Sequence, residues 1–223
     1  MSIAIGPSIA TSGLILAYDA ANTKSYPGSG SVWTDLTGSG VVGTLTGGIS
    51  YNATNGGSMA LNGTSGYVVT PTVTLNLSGG VSMEMIFNSN DIQSRAQGFM
   101  SFSTSPTYIN FYSAGNGTLR WENIISGTGG DLTSPSGLTN FTWYHAIGTF
   151  YNGVSVLYIN GAQVATSTYT LVNYSSSFSS ALNVGVYTGY MAGLMPVAKM
   201  YNRALSATEA YQNYYALRGR YGI

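Results

Sequence analysis

The chain contains no cysteine. That excludes a disulfide framework, a thiol nucleophile and a thiolate metal site. Charge is almost as scarce. Asp, Glu, Lys and Arg make up 6% of the 223 residues, where about 25% is usual. Seven cationic and seven anionic side chains leave a net charge of zero, and only Lys24 and Lys199 are lysines. Such a chain offers no basic stripe to nucleic acid. Its solubility rests on Ser, Thr, Asn, Gly and Tyr, and little of its stability is open to screening by salt. A surface of this kind suits a protein packed against many copies of itself. His145 is the sole histidine. It shares a strand face with Trp143 and Ile147 and reads as a core or sub-surface residue, without the nucleophile and acid that a triad needs. No apolar run approaches the length of a membrane-spanning helix. Met1–Pro7 lacks a basic leading region, and Pro7 interrupts its short apolar run, so it does not read as a signal peptide. Gly47-Gly48 and Gly129-Gly130 lack the lysine and the strand-to-helix setting of a phosphate loop.

What the chain has is turns and aromatics. Trp143 to Thr166 reads as three antiparallel strands, joined at Asn152-Gly153 and Asn160-Gly161. Asn and Gly tolerate the positive φ that tight hairpin turns require. Val81 to Asn88 alternates, with Val81, Met83, Met85 and Phe87 on one face and Ser82, Glu84 and Asn88 on the other. Further short strands are expected at Leu14–Tyr18, Val32–Leu36, Val41–Leu45, Ser58–Leu61, Tyr67–Thr70, Phe99–Phe102, Tyr108–Tyr112, Thr118–Asn123, Leu182–Tyr187 and Ala192–Tyr201. Short strands between Gly-rich turns indicate a sandwich or barrel. Ser206-Ala207-Thr208-Glu209 is a capping box, which predicts one helix over about 207–217, stopping at Gly219. Tyr211, Tyr214 and Tyr215 are expected to pack it onto the sandwich edge or a neighbouring subunit. The organisation is thus an N-terminal extension, 1–13, followed by one domain over 14–223. Asn-x-Ser/Thr triplets at Asn52, Asn62, Asn76, Asn116, Asn140 and Asn173 are of the kind chance produces in so Asn- and Ser-rich a chain.

The wording of several segments is specific. WYHAIGTFYNGVSVLYINGAQVAT resembles the characteristic hairpin of laminin-G-like, concanavalin-like domains. GLILAYDAANTKSYPGSGSVWTDLTGSG (Gly13 to Gly40), GGSMALNGTSGYV (Gly56 to Val68), VSMEMIF and KMYNRALSATEAYQNYYALRGRYGI (Lys199 to Ile223) are similar, in that order, to domains of this type in bacteriophage structural proteins. The resemblance implies an all-β, concanavalin A-like jelly-roll sandwich of two antiparallel sheets with one short C-terminal helix. It implies Trp33 and Trp143 in the framework, as core residues. Some relatives bind calcium on the rim through aspartates in two segments. Here those segments read Thr64-Ser65-Gly66-Tyr67 and Leu194-Met195-Pro196-Val197, without acids, and Asp19, Asp35, Asp91 and Asp131 are scattered. No metal and no cofactor are expected.

The same sandwich hosts glycanases, which place acids at alternate positions of one strand to supply a carboxylate pair. Glu84 is followed at those positions by Ile86 and Asn88, so the pair is missing and no catalytic residue is assigned. Arg120 and Glu122 share a face and read as a surface ion pair. The eighteen tyrosines are the remaining lead, because each joins a flat apolar face to a polar tip. Tyr187 and Tyr190, in the turn VGVYTGYMAG near the rim that relatives use for ligands, are the candidate sugar-stacking residues, and Tyr112 and Trp121 are further candidates; the alternative is that these aromatics cover the sandwich ends or pad contacts between subunits. Three functions stay open. The first is a non-enzymatic virion protein on the particle exterior, with capsid decoration favoured. Its partners would be other virion proteins and copies of itself, with host glycan in addition. The second is a carbohydrate-binding adhesin at a tail or fibre tip. The third, a glycan-degrading enzyme, is disfavoured by the missing acid pair. Nucleic acid and membrane insertion are not expected.

Overall fold

The computed structural model describes residues 8–170 and 177–223. Residues 1–7 of the expected extension, and Asn173, lie outside the described residues. The strands are β1 (Leu14–Asp19), β2 (Val32–Thr34), β3 (Val42–Thr46), β4 (Ser50–Asn52), β5 (Ser58–Asn62), β6 (Tyr67–Asn76), β7 (Val81–Ser89), β8 (Ala96–Thr104), β9 (Thr107–Ala114), β10 (Arg120–Ile125), β11 (Thr128–Thr133), β12 (Trp143–Tyr151), β13 (Val154–Ile159), β14 (Ala162–Thr168), β15 (Ser177–Val184) and β16 (Ala192–Tyr201), followed by helix α1 (Ala207–Tyr221). The first sheet runs β14-β13-β12-β7-β16-β5-β4, with β1 also on β16, and the second runs β11-β10-β9-β8-β15-β6-β3-β2. The two antiparallel sheets form the expected concanavalin A-like jelly-roll sandwich.

The alternation along β7 sets the core. Val81, Met83, Met85 and Phe87 are fully buried between the sheets. Phe87 meets Phe99 of the second sheet at 4.7 Å between ring centroids, and Tyr18 meets Trp33 at 5.3 Å. Aromatic pairs at such spacing add to the area they bury. The hairpins close as their turns dictate, with Asn152 at φ 47° and Asn160 at φ 50°. β4 and β11 are strands that the sequence pattern did not indicate, and β15 stops at Val184, which leaves Tyr187 in the following turn.

Helix α1 covers the outer face of the first sheet. The Ser206 Oγ accepts from the Glu209 N–H at 3.3 Å, while Glu209 Oε2 accepts from the Ser206 N–H at 2.9 Å. Arg203 clamps the same carboxylate with two bonds, of 2.9 and 2.6 Å. The helix continues through Gly219 and ends only at Gly222, whose N–H closes on Arg218. Tyr221 requires the extra turn, because its ring packs on Trp143 at 4.9 Å. Trp143 therefore belongs to the helix-covered outer face, half-buried, and not to the central core. The helix is anchored by Ala210, Asn213, Leu217 and Tyr221, while Tyr211 and Tyr215 point outward, 54% and 43% exposed. Ser8 and Ala10 bond to Gln212 and Asn213, so the described part of the N-terminal segment runs along the helix. The first sheet is thereby covered on both faces beneath α1. The second sheet keeps its outer face for polar side chains.

Candidate functional site

On the outer face of the second sheet, register alone assembles a polar and aromatic cluster. Arg120 of β10 pairs with Tyr112 of β9, and Glu122 lies opposite Asn110 of β9 on one side and Asp131 of β11 on the other. The Asn110 Nδ2 donates to Glu122 Oε2 at 2.5 Å, and Ser103 Oγ donates to Asn110 Oδ1 at 2.6 Å. The Tyr112 hydroxyl donates to Asp131, and Arg120 Nη1 reaches the same oxygen at 3.3 Å. Arg120 also lies over the Tyr112 ring, 5.7 Å from its centroid. The ion pair expected between Arg120 and Glu122 is thus replaced by one between Arg120 and Asp131. β11 brings Asp131 within reach, whereas Glu122 is engaged by Asn110.

The turn after β15 completes the cluster. Its chain crosses β8 at Gly98, where a Cβ would sit 2.1 Å from the Tyr187 nitrogen. Only glycine permits that approach. The Gly98 N–H donates to the Gly189 carbonyl at 2.9 Å and fixes the crossing. Tyr187 then stands edge-on to Tyr112 with centroids 5.7 Å apart, and its hydroxyl faces the Glu122 carboxylate closely enough to feel its charge. Tyr190 lies beside Tyr67 at 6.2 Å. Burial, and next the bond to Asp131, push the Tyr112 phenol up to about 12. Burial and then Glu122 raise Tyr187 in the same direction. Both therefore stay protonated donors at neutral pH. Each carboxylate keeps further lone pairs free to accept from a ligand.

Of the four expected residues, Tyr187 and Tyr112 meet directly, whereas Tyr190 packs on Tyr67 of β6. Trp121 does not belong with them. It is fully buried, stacked on Phe111 at 4.9 Å, with its Nε1 donating to the Thr149 carbonyl at 3.3 Å. Its indole lies on Gly148, where a Cβ would come within 2.2 Å of the ring. Alternation is the cause, since a residue between Arg120 and Glu122 must face the other way. The sequence reading missed Asn110, Asp131 and Tyr108, the last of which lies on this face opposite Ile124.

The acids divide by task. Asp35 ties its own loop to β1, accepting from the Ala17 N–H at 2.7 Å. Asp91 pairs with Arg95 at 3.1 Å, and Asp19 with Arg220 at 2.8 Å. Among the described residues no group of three or more acids and histidines is placed to hold a metal ion. Glu84 lies on the first sheet, fully buried beneath α1, away from the tyrosine cluster. Every contact to Glu122 and Asp131 described above comes from a donor.

A lectin-type β-sandwich with an open polar and aromatic sheet face is the class this geometry defines. The family model described as the concanavalin A-like lectin/glucanases superfamily, of laminin G type, matches residues 62–210. The chain belongs to that superfamily. No curated protein sequence matches it. Among solved structures it is similar to the botulinum neurotoxin serotype G binding domain, at 13% identity and TM-score 0.73, over 91% of this chain and 50% of that one. It is also similar to domain 4 of AbnA, a GH43 extracellular arabinanase from Geobacillus stearothermophilus solved with arabinotriose, at 18% identity and TM-score 0.67, over 90% and 98%. A sialidase from Trypanosoma rangeli, solved with the inhibitor DANA, matches at 15% identity and TM-score 0.67, over 93% and 33%. The chain spans about half the length of the neurotoxin binding domains it matches. The fold is thus shared by binding domains and by a chain that is an enzyme.

Proposed function

We propose that the chain is a non-catalytic glycan-binding module, and that the outer face of the second sheet holds a neutral sugar. The observation that carries this reading is the meeting of Tyr112 and Tyr187 over Glu122 and Asp131. It offers ring faces for the apolar side of a sugar and carboxylate oxygens for its hydroxyls. Two carboxylates against one guanidinium disfavour a sialylated or sulfated ligand. The arabinotriose complex of the similarly folded AbnA domain supports the class of ligand. A glycan array tests the proposal. Binding to neutral glycans that is lost in Tyr187→Ala is the expected result. Binding unchanged in both Tyr187→Ala and Tyr112→Ala would refute this site.

A second reading rests on a different surface. A groove of about 280 Å³ opens beside the start of α1, lined by Tyr151, Val154, Val156, Tyr158, Ala204 and Leu205. Tyr151 and Val154 there are 50% and 44% exposed. With so few charges in the chain, this face suits permanent packing on another protein. We propose on that ground that the module sits on the exterior of a phage particle, as capsid decoration, where glycan binding would serve adhesion. The family match and the structural likenesses bear on the fold and leave this location open. Cryo-electron microscopy of the particle it purifies with is the test. Regular density on the shell supports decoration, density only at a tail or fibre tip supports the adhesin, and absence from any particle refutes both locations.

A further inference from the structure

Glycan binding leaves unused a sealed polar cluster beneath α1. Glu84, His145 and Asn213 are at most 1% exposed, and Lys199 4%. Lys199 lies directly opposite Glu84 on the neighbouring strand, and its Nζ donates to Glu84 Oε1 at 2.8 Å. Asn213 descends from the helix and donates its Nδ2 to the other oxygen of the same carboxylate at 2.6 Å. That nitrogen also contacts the Tyr201 hydroxyl at 3.0 Å. The Asn213 Oδ1 accepts from the Ala10 N–H at 2.7 Å. His145 Nε2 lies 3.2 Å from Glu84 Oε1.

The constellation has more than an anchor needs. A helix could be held to the sheet by apolar contacts, and burying an ion pair to do so brings little stability. Here a primary amine and a carboxamide hang from the two oxygens of one carboxylate, shut off from water. A backbone N–H is aimed at the oxygen where charge would develop if the amide carbon were attacked. We infer that Lys199 and Asn213 condense into an intramolecular isopeptide bond, with Glu84 relaying the protons.

The chemistry balances without a co-reactant. Glu84 takes a proton from the Lys199 ammonium along their hydrogen bond, and the freed amine attacks Asn213 Cγ. The Nζ–Cγ bond forms, and the Ala10 N–H holds the oxyanion on Oδ1. Glu84 passes its proton to the departing Nδ2 and takes the second from the attacking nitrogen. The Cγ–Nδ2 bond breaks and ammonia leaves. The last proton departs with it as ammonium, so the lost cation of Lys199 is accounted for. Closure requires the amine to come within about 3–3.5 Å of the carbon, and both groups already share one partner. The bond would join β16 to α1 and serve a chain that has no cysteine with which to do so.

Intact mass of the purified, denatured full chain decides. The expected value is the sequence mass less one ammonia, with a proteolytic fragment in which Lys199 and Asn213 are linked and cleavage after Lys199 is blocked. Glu84→Gln and Lys199→Arg should return to full mass. Where those variants fail to fold, the wild-type mass and fragment still decide. Folded wild-type protein that keeps its full sequence mass after prolonged incubation at neutral pH overturns the inference. So does an ammonia deficit that maps to a succinimide at an Asn-Gly step such as Asn152-Gly153.

Discussion

Tyr187 stands edge-on to Tyr112, at 5.7 Å between centroids and 63° between planes. The two come from separate parts of the second sheet, one from a turn and one from β9. The Tyr112 hydroxyl is tied to Asp131, and the Tyr187 hydroxyl feels the charge of Glu122. The ring contact therefore fixes both aromatic faces at once. Truncating Tyr187 to Ala should remove one of them and loosen the other. A loss of about 1–2 kcal/mol, near tenfold in affinity, is expected. Calorimetry with the best array glycan measures it. Tyr187→Phe keeps the ring and should lose less.

Gly98 makes the second prediction. Its missing side chain is what lets the 186–189 chain lie against β8. Gly98→Ala should displace that turn, and Tyr187 with it. Because the turn is at the surface and β8 remains paired on both sides, the fold should survive. Glycan affinity should fall at least as far as in Tyr187→Ala, while the unfolding free energy from urea titration falls by less than about 1 kcal/mol. A large stability loss with unchanged affinity would contradict this account of the site.

The strands of this fold are legible because alternation and Asn-Gly turns are local signals. β7 and the β12-β13-β14 run show this, down to the positive φ of Asn152 and Asn160. β11 escapes because Gly129-Gly130 gives it no alternating side chains to signal a strand. With it escapes Asp131, whose place opposite Glu122 depends on that strand. Trp121 is a different kind of miss. Its burial was implied by the very alternation that put Arg120 and Glu122 on one face, and only its aromatic character suggested a ligand role. Alternation puts Glu84 on the face away from Met83 and Met85, where it lies. That the face is sealed by Asn213, 129 residues later, is a tertiary fact no local pattern carries.

The sealed cluster yields a third prediction. Burial alone would raise the Glu84 carboxyl, but Lys199 and then His145 override it and hold it well below the usual carboxylate range. In the chain before any Lys199–Asn213 bond forms, removing Lys199 leaves that charge buried without its cation. Lys199→Met should therefore cost about 3–5 kcal/mol in denaturant unfolding. Replacing both partners together, Glu84→Leu with Lys199→Met, should cost much less than the sum of the two single changes, because no unpaired charge remains. Additive losses would show that the pair does not act as a unit.

Acid should release the helix. Arg203 above all, with the Ser206 cap, holds the Glu209 carboxyl down to about 2 from its ordinary 4.5. A group whose folded pKa is depressed stabilises the fold fully above its unfolded value. That contribution disappears as pH falls through the folded value. The capping box and the Arg203 clamp should thus act in full above about pH 4.5 and fade toward about pH 2. Glu84, also held down, works in the same direction at the acid end. Thermal melts over this range should show Tm level near neutrality and falling below about pH 4.5. In Glu209→Gln, Tm should start lower and decline less over the upper part of the window. A wild-type Tm that stays level through the acid range would mean that neither carboxylate contributes to holding α1 on the sheet.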